Sequence, residues 1–219
     1  MITGPDGGPT VVLLHGFGAP GDDLVPLHRV VPSKGVRWVF PAAPIALPSP
    51  FGDSRAWWLI DLAKLERAVR GGAQASQILA DSLAAEVPQG MAQARERILG
   101  LLDDLGASEP LILGGFSQGA MLATDCALHS ALPIAGMCLM SGALVAEREW
   151  APRFNLRSGM RALMSHGRQD PLLPVESAER LRTLLGDSGW TIDWMPFDGG
   201  HEIPRPVLGA LAGLIQNVT

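Results

Sequence analysis

Cysteine, charge and long apolar runs are all scarce in this chain, and each shortage removes a class of protein. Only two cysteines occur, Cys126 and Cys138, both in apolar stretches with no cluster of ligand-type residues beside them. Thiols so placed suggest neither a disulfide framework nor a zinc site, and buried free cysteines are the simpler reading. Charged residues make up 18% of the 219 positions and leave a formal net charge of -5. No segment gathers the Lys and Arg needed for a stripe that neutralises phosphates, so nucleic acid is not an expected partner. No run approaches the ~20 apolar residues that cross a bilayer. The opening MITGPDGGPTVVLLHG also lacks the basic start of a secretory signal. These features predict a soluble, cytoplasmic protein with no integral membrane segment.

What the chain does contain is apolar residues, 47% of the total, in a length that suits one α/β domain spanning 1–219. Five short runs read as strands: TVVLL (10–14), VRWVF (36–40), PLILG (110–114), PIAGMCLM (133–140) and MRALMSH (160–166). A sixth, WTIDWMPF (190–197), alternates more clearly and reads as a strand nearer the sheet edge. Between them lie helical patterns. Met91, Ala94, Ile98, Leu101, Leu102 and Leu105 recur at three- and four-residue spacing, with Gly106 as the stop. The Ala-rich 74–86 reads as another helix, set off by Pro88 and Gly90. Strand and helix in alternation predict a mainly parallel sheet with helices on both faces. The proline-rich segment 41–58, PAAPIALPSPFGDSRAWW, reads as a surface loop without ladder or helix, because its prolines remove backbone donors. Its Trp57 and Trp58 could wall an apolar pocket. Arg55 could orient a polar substrate end or simply meet solvent.

The most informative stretch is LILGGFSQGAM, 111–121, in which Gly115-Phe116-Ser117-Gln118-Gly119 follows a strand and opens a helix. A Gly-x-Ser-x-Gly arrangement arises by chance about 0.2 times in a chain of this composition, so the pattern alone is weak. The strand-turn-helix setting is what gives it meaning. A sharp turn there lifts a serine hydroxyl above the sheet, and glycines on both flanks remove Cβ atoms that would collide. Such a serine needs a base, and the base needs a carboxylate to orient it. In this kind of sheet the three follow in the order serine, acid, histidine. His15 and His28 precede Ser117, His129 lies on the following helix and His166 ends a strand, which leaves His201 in FDGGHEIP. Asp170 in SHGRQDPLLP, just past a strand end, is the preferred acid; Asp198, three residues before His201, is the rival. The backbone N–H of Gln118 and that of Phe17, in LLHGFG, are the candidate oxyanion donors. Trp57, Trp58, Met121 and Leu172, with Phe17, are the candidate acyl-pocket residues.

These residues resemble a known family. LLHGFG, FPAAP, RAWW, GGFSQGAM, LMSG, SHGRQDPLLP and GGHEI occur in the order found in the phospholipase/carboxylesterase group of α/β-hydrolases, which includes the acyl-protein thioesterases. The resemblance covers nearly the whole chain from Thr10. It implies an α/β-hydrolase fold with no separate cap domain, Ser117 as nucleophile, Asp170 as acid, His201 as base, and no cofactor or metal. The expected activity is cleavage of small-molecule carboxylic esters of short to medium acyl length through an acyl-serine. A thioesterase or lysophospholipase acting on long chains is the alternative, and a non-catalytic binding protein on the same fold is a third. The oligomeric state is left open, a homodimer included.

Overall fold

The computed structural model describes residues 1–48, 52–106 and 110–218. The chain opens with β1 (Ile2–Thr3), β2 (Thr10–Leu14), a short α1 (Leu27–Val30) and β3 (Arg37–Val39). Two further strands, β4 (Ile45–Leu47) and β5 (Ser54–Ala56), precede the long α2 (Leu62–Ala85) and α3 (Met91–Asp104). Then come β6 (Leu111–Phe116), α4 (Gln118–Leu128), β7 (Ile134–Met140), α5 (Glu147–Trp150) with a 3-10 turn after it, and β8 (Arg161–Gly167). The chain finishes with α6 (Val175–Asp187), β9 (Thr191–Phe197) and α7 (Arg205–Val218). Seven of the strands form one sheet in the order β1-β3-β2-β6-β7-β8-β9, and only the β1–β3 pairing is antiparallel. This is the mainly parallel sheet that the alternating pattern predicts, with WTIDWMPF at its edge, and it agrees with the fold that the resemblance implies.

Parallel strands covered on both faces must be apolar on both, and β2 follows that rule. Val12 and Leu14 join the core formed with α3, α4 and α6, while Val11 and Leu13 join the opposite core with α7 and the segment around α1. Cys126 and Cys138 are buried free thiols, and burial pushes both well up from the ordinary thiol value, Cys138 to about 12. Among the described residues, no helix is long and apolar enough to cross a membrane.

Two local readings need correction. Segment 41–58 is not ladder-free: β4 and β5 pair antiparallel, Ile45 with Ala56 and Leu47 with Ser54. The prolines are spaced widely enough to leave those three-residue strands their donors, whereas residues 49–51 lie outside the described part. The Ala-rich helix begins at Leu62, not at 74. Asp61 Oδ1 caps it by accepting from the N–H groups of Ala63 (2.9 Å) and Lys64 (3.2 Å), and Gly72, at φ 67 and ψ -163, breaks it into two arms. Sequence periodicity misses the first arm because that break shifts the phase of the pattern.

Candidate active site

Ser117 stands where β6 turns into α4, with φ 54 and ψ -119, a backbone conformation that costs a non-glycine residue roughly 1–3 kcal/mol. The turn is tight because its glycines are in contact with backbone. A Cβ on Gly119 would lie 1.9 Å from the Leu14 carbonyl oxygen, and one on Gly115 would lie 2.5 Å from the same atom. The Ser117 N–H donates to the Met140 carbonyl at 2.9 Å, which ties the turn to the neighbouring strand. Gly16 faces the turn from the end of β2, where a Cβ would sit 3.4 Å from the Ser117 Cβ.

The loop 15–19 is held by a second set of bonds. His15 is buried, its Nδ1–H donates to the Gly16 carbonyl at 2.8 Å, and its Nε2 accepts from the Ala43 N–H at 3.0 Å. Burial pushes His15 below its ordinary value, so this ring is neutral and structural. From the other side the loop extends β5: the Gly18 N–H donates to the Arg55 carbonyl (2.8 Å) and the Arg55 N–H to the Ala19 carbonyl (3.0 Å). No described acceptor engages the Phe17 N–H. The Gln118 N–H, first in α4, has no acceptor within its own helix. Both residues line one cavity with Ser117 and His201.

Asp170 and His201 come from the loops after β8 and β9. Gly167 allows their approach, since a Cβ there would lie 2.1 Å from the Gly200 carbonyl oxygen. The Arg168 N–H donates to the Phe197 carbonyl (2.9 Å) and the Gln169 N–H to the Gly199 carbonyl (3.0 Å). With the loops laced together, His201 Nδ1 lies 2.6 Å from Asp170 Oδ2, while Oδ1 accepts the N–H groups of Leu172 (2.8 Å) and Leu173 (3.0 Å). Burial alone would raise the Asp170 carboxyl. Hydrogen bonds from His166 and His201, with the Leu173 N–H, outweigh it and hold the carboxyl well below the usual carboxylate range. Asp198 does not compete for His201: its side chain is 87% exposed and faces Arg168 at 3.7 Å. The His201 ring packs against Phe116, with centroids 4.7 Å apart.

The cavity measures ≈ 140 Å³ and is walled mainly by apolar side chains. Trp58, Met121 and Leu172 line it, together with Ile60, Leu79, Leu83 and Asp23, which sequence reasoning does not reach. Leu79 and Leu83 belong to the second arm of α2, and no motif marks a wall helix. Trp57 is not brought to the cavity. A buried indole needs an acceptor for its N–H, and Trp57 finds one in the His15 carbonyl at 2.9 Å. Its own N–H donates to Gln118 Oε1 (3.0 Å), while Gln118 Nε2 donates to the Trp58 carbonyl (2.9 Å). The Arg55 side chain binds the Ala43 carbonyl (3.0 Å) and Asp53 (2.8 Å), bracing the same loop.

Residues 6–219 match the family described as Phospholipase/Carboxylesterase. The chain is 25% identical over 213 residues to acyl-protein thioesterase 1 of Neurospora crassa, covering 92% of this chain and 83% of that one. It resembles the crystal structure of esterase PE8 with a TM-score of 0.70 at 27% identity, covering 100% and 99% of the two chains. Arabidopsis thaliana SOBER1 shares the fold, with a TM-score of 0.74 at 18% identity over 96% of this chain and 98% of that one.

Proposed function

Because the chain belongs to the phospholipase/carboxylesterase family, whose members are hydrolases of the carboxylesterase and acyl-protein thioesterase type, we propose that it cleaves carboxylic esters of short to medium acyl length through an acyl-serine. Ser117 Oγ attacks the ester carbonyl carbon and gives its proton to His201 Nε2. The carbonyl oxygen, now an oxyanion, receives the N–H groups of Phe17 and Gln118, each worth about 3–4 kcal/mol in the transition state. Collapse expels the alcohol, which takes the proton from His201 and leaves Ser117 acylated. Water then repeats the sequence, with His201 accepting its proton and Ser117 departing as the free hydroxyl. Asp170 holds the Nδ1–H of His201 throughout and stays ionised. No step calls for a cofactor or metal.

The observation that carries this reading is the joint one. A serine in a strained strand-to-helix turn and a histidine bonded to a buried carboxylate at 2.6 Å open into the same apolar cavity. The cavity's ≈ 140 Å³ supports a short acyl chain, while the curated relatives named acyl-protein thioesterase favour a second reading, hydrolysis of acyl thioesters. The test is kcat/KM across p-nitrophenyl esters of increasing acyl length and matched thioesters. A peak at short oxygen esters is expected; a steady rise toward long chains or a marked thioester preference overturns the first reading for the second. Ser117→Ala should lower turnover by more than ~10³-fold with the fold intact. Turnover retained in a folded Ser117→Ala protein, or failure of Ser117 to label with a fluorophosphonate probe, would remove the catalytic assignment altogether.

A further inference from the structure

Two imidazoles share the carboxylate of Asp170, and only one of them lines the cavity. The second, His166, is fully buried near the end of β8, with Nε2 2.8 Å from the Leu173 carbonyl oxygen and 3.3 Å from Asp170 Oδ2. Both of those neighbours can only accept. Nε2 must therefore carry the ring hydrogen, which lies between the two oxygens. His166 Nδ1 is buried with no hydrogen-bond partner among the described residues, a position that suits an unprotonated nitrogen and not a desolvated N–H. The partners thus dictate a ring hydrogen on Nε2.

We propose that His166 is a positioning residue for the acid: its Nε2–H, anchored on the Leu173 carbonyl, fixes Asp170 Oδ2 toward His201 and withdraws part of the negative charge on that oxygen. The proposal rests on the reading of Ser117, Asp170 and His201 as the catalytic set. Asp170 Oδ1 is already occupied by the Leu172 and Leu173 N–H groups, so Oδ2 is the atom whose charge His166 and His201 divide. His166 moves no proton; the proton from Ser117 goes to His201 Nε2. The other charged groups of these two loops meet different partners. Arg168 and Asp198 face each other at 3.7 Å, and Glu202 accepts the Gly200 N–H at 3.3 Å. Asp23 lines the same cavity, and its charge acts on His15.

Without the His166 N–H, Oδ2 keeps more charge and holds the protonated form of its remaining partner more tightly. The acidic limb of kcat/KM should therefore move to higher pH, and an unfixed carboxylate should lower kcat. The experiment compares wild type, His166→Phe and His166→Gln on p-nitrophenyl butyrate across pH. His166→Phe is expected to lose about tenfold in kcat with little change in KM and to show the upward shift. His166→Gln, which can present an amide N–H, should restore most of the rate and the wild-type limb. A folded His166→Phe protein with wild-type rate and profile overturns the proposal, as does an equal loss in both variants with no shift. If His166→Phe fails to fold, nitrogen-detected NMR of wild type decides. A backbone-assigned His166 ring must show a protonated Nε2 coupled to the Leu173 carbonyl and the Asp170 carboxylate, and an Nε2 without a hydrogen overturns it. Wild type that turns over neither a neutral ester nor a matched thioester fails the catalytic reading itself, an outcome distinct from all of these.

Discussion

At the scale of single residues, the turn around Ser117 leaves almost no room for change. Gly119→Ala would drive a methyl group into the Leu14 carbonyl, 1.9 Å away in the unrelaxed backbone, which no rotamer can relieve because Cβ has none. We expect this one added carbon to abolish turnover and to lower Tm more than an alanine placed at the open Gly209 on α7, where nothing lies within 4 Å; thermal melts of the two variants check it. This part of the site was legible in the sequence because steric demand writes itself as glycine at fixed offsets. Asp170 and His201 were legible through their order and their loop settings. His166 was not. As a strand-end histidine it looks like core, and only the folded position of Leu173 shows which oxygens its nitrogen meets. Trp57 illustrates the opposite case: two adjacent tryptophans look equivalent in sequence, yet the first is claimed by the His15 carbonyl and only the second walls the cavity.

Among the elements, the helices that hold the sheet depend on one buried anion remote from the candidate site. Asp125 on α4 is fully buried; its Oδ2 accepts from Arg95 Nη1 on α3 and its Oδ1 from Trp150 Nε1 on α5, both at 2.9 Å. Removing it leaves the partly exposed Arg95 guanidinium and the buried Trp150 indole N–H without their acceptor. Asp125→Ala should therefore lower unfolding free energy by about 3–5 kcal/mol, read by urea denaturation, with KM for a short ester unchanged in the folded fraction. The periodicity of α3 placed Met91, Ala94, Ile98 and Leu102 in the core, where the structure has them. It could not announce Asp125, since a charge inside an apolar helix is intelligible only once its partners from two other helices are in place. The β4–β5 hairpin escaped for a related reason: three-residue strands are too short to show alternation, and their pairing is a property of the fold around them.

For the molecule as a whole, acid should act in two stages. Burial lowers His15 from its ordinary value near 6.5, so the unfolded chain takes up a proton there first, and stability declines as pH falls through that ordinary value toward the lower folded one. Asp170 has the same sign for a carboxylate. Its folded value is depressed, so its contribution is complete above the ordinary carboxylate range and drains away as pH falls toward the folded value. Tm measured from pH 8 to 3 should bend downward near 6.5 and again near 4; His15→Asn should weaken the first bend and Asp170→Asn the second. Fold class was legible because a two-sided parallel sheet requires apolar strands separated by helices, whereas the part of the cavity wall that α2 supplies was not. That wall has a consequence for how such a protein can diversify. The second arm of α2 gives Leu79 and Leu83 to the cavity but none of the groups assigned to bond making, and it is tied to the Asp170 loop through Ser76, whose hydroxyl donates to the Pro171 carbonyl at 2.8 Å. Gln118, by contrast, combines a proposed oxyanion donor with the clamp on Trp57 and Trp58. Selection for a new substrate thus has a permissive place to work and a forbidden one: positions 79 and 83 can be rewritten as a vocabulary of shapes, while position 118 binds recognition and chemistry into a single inherited choice.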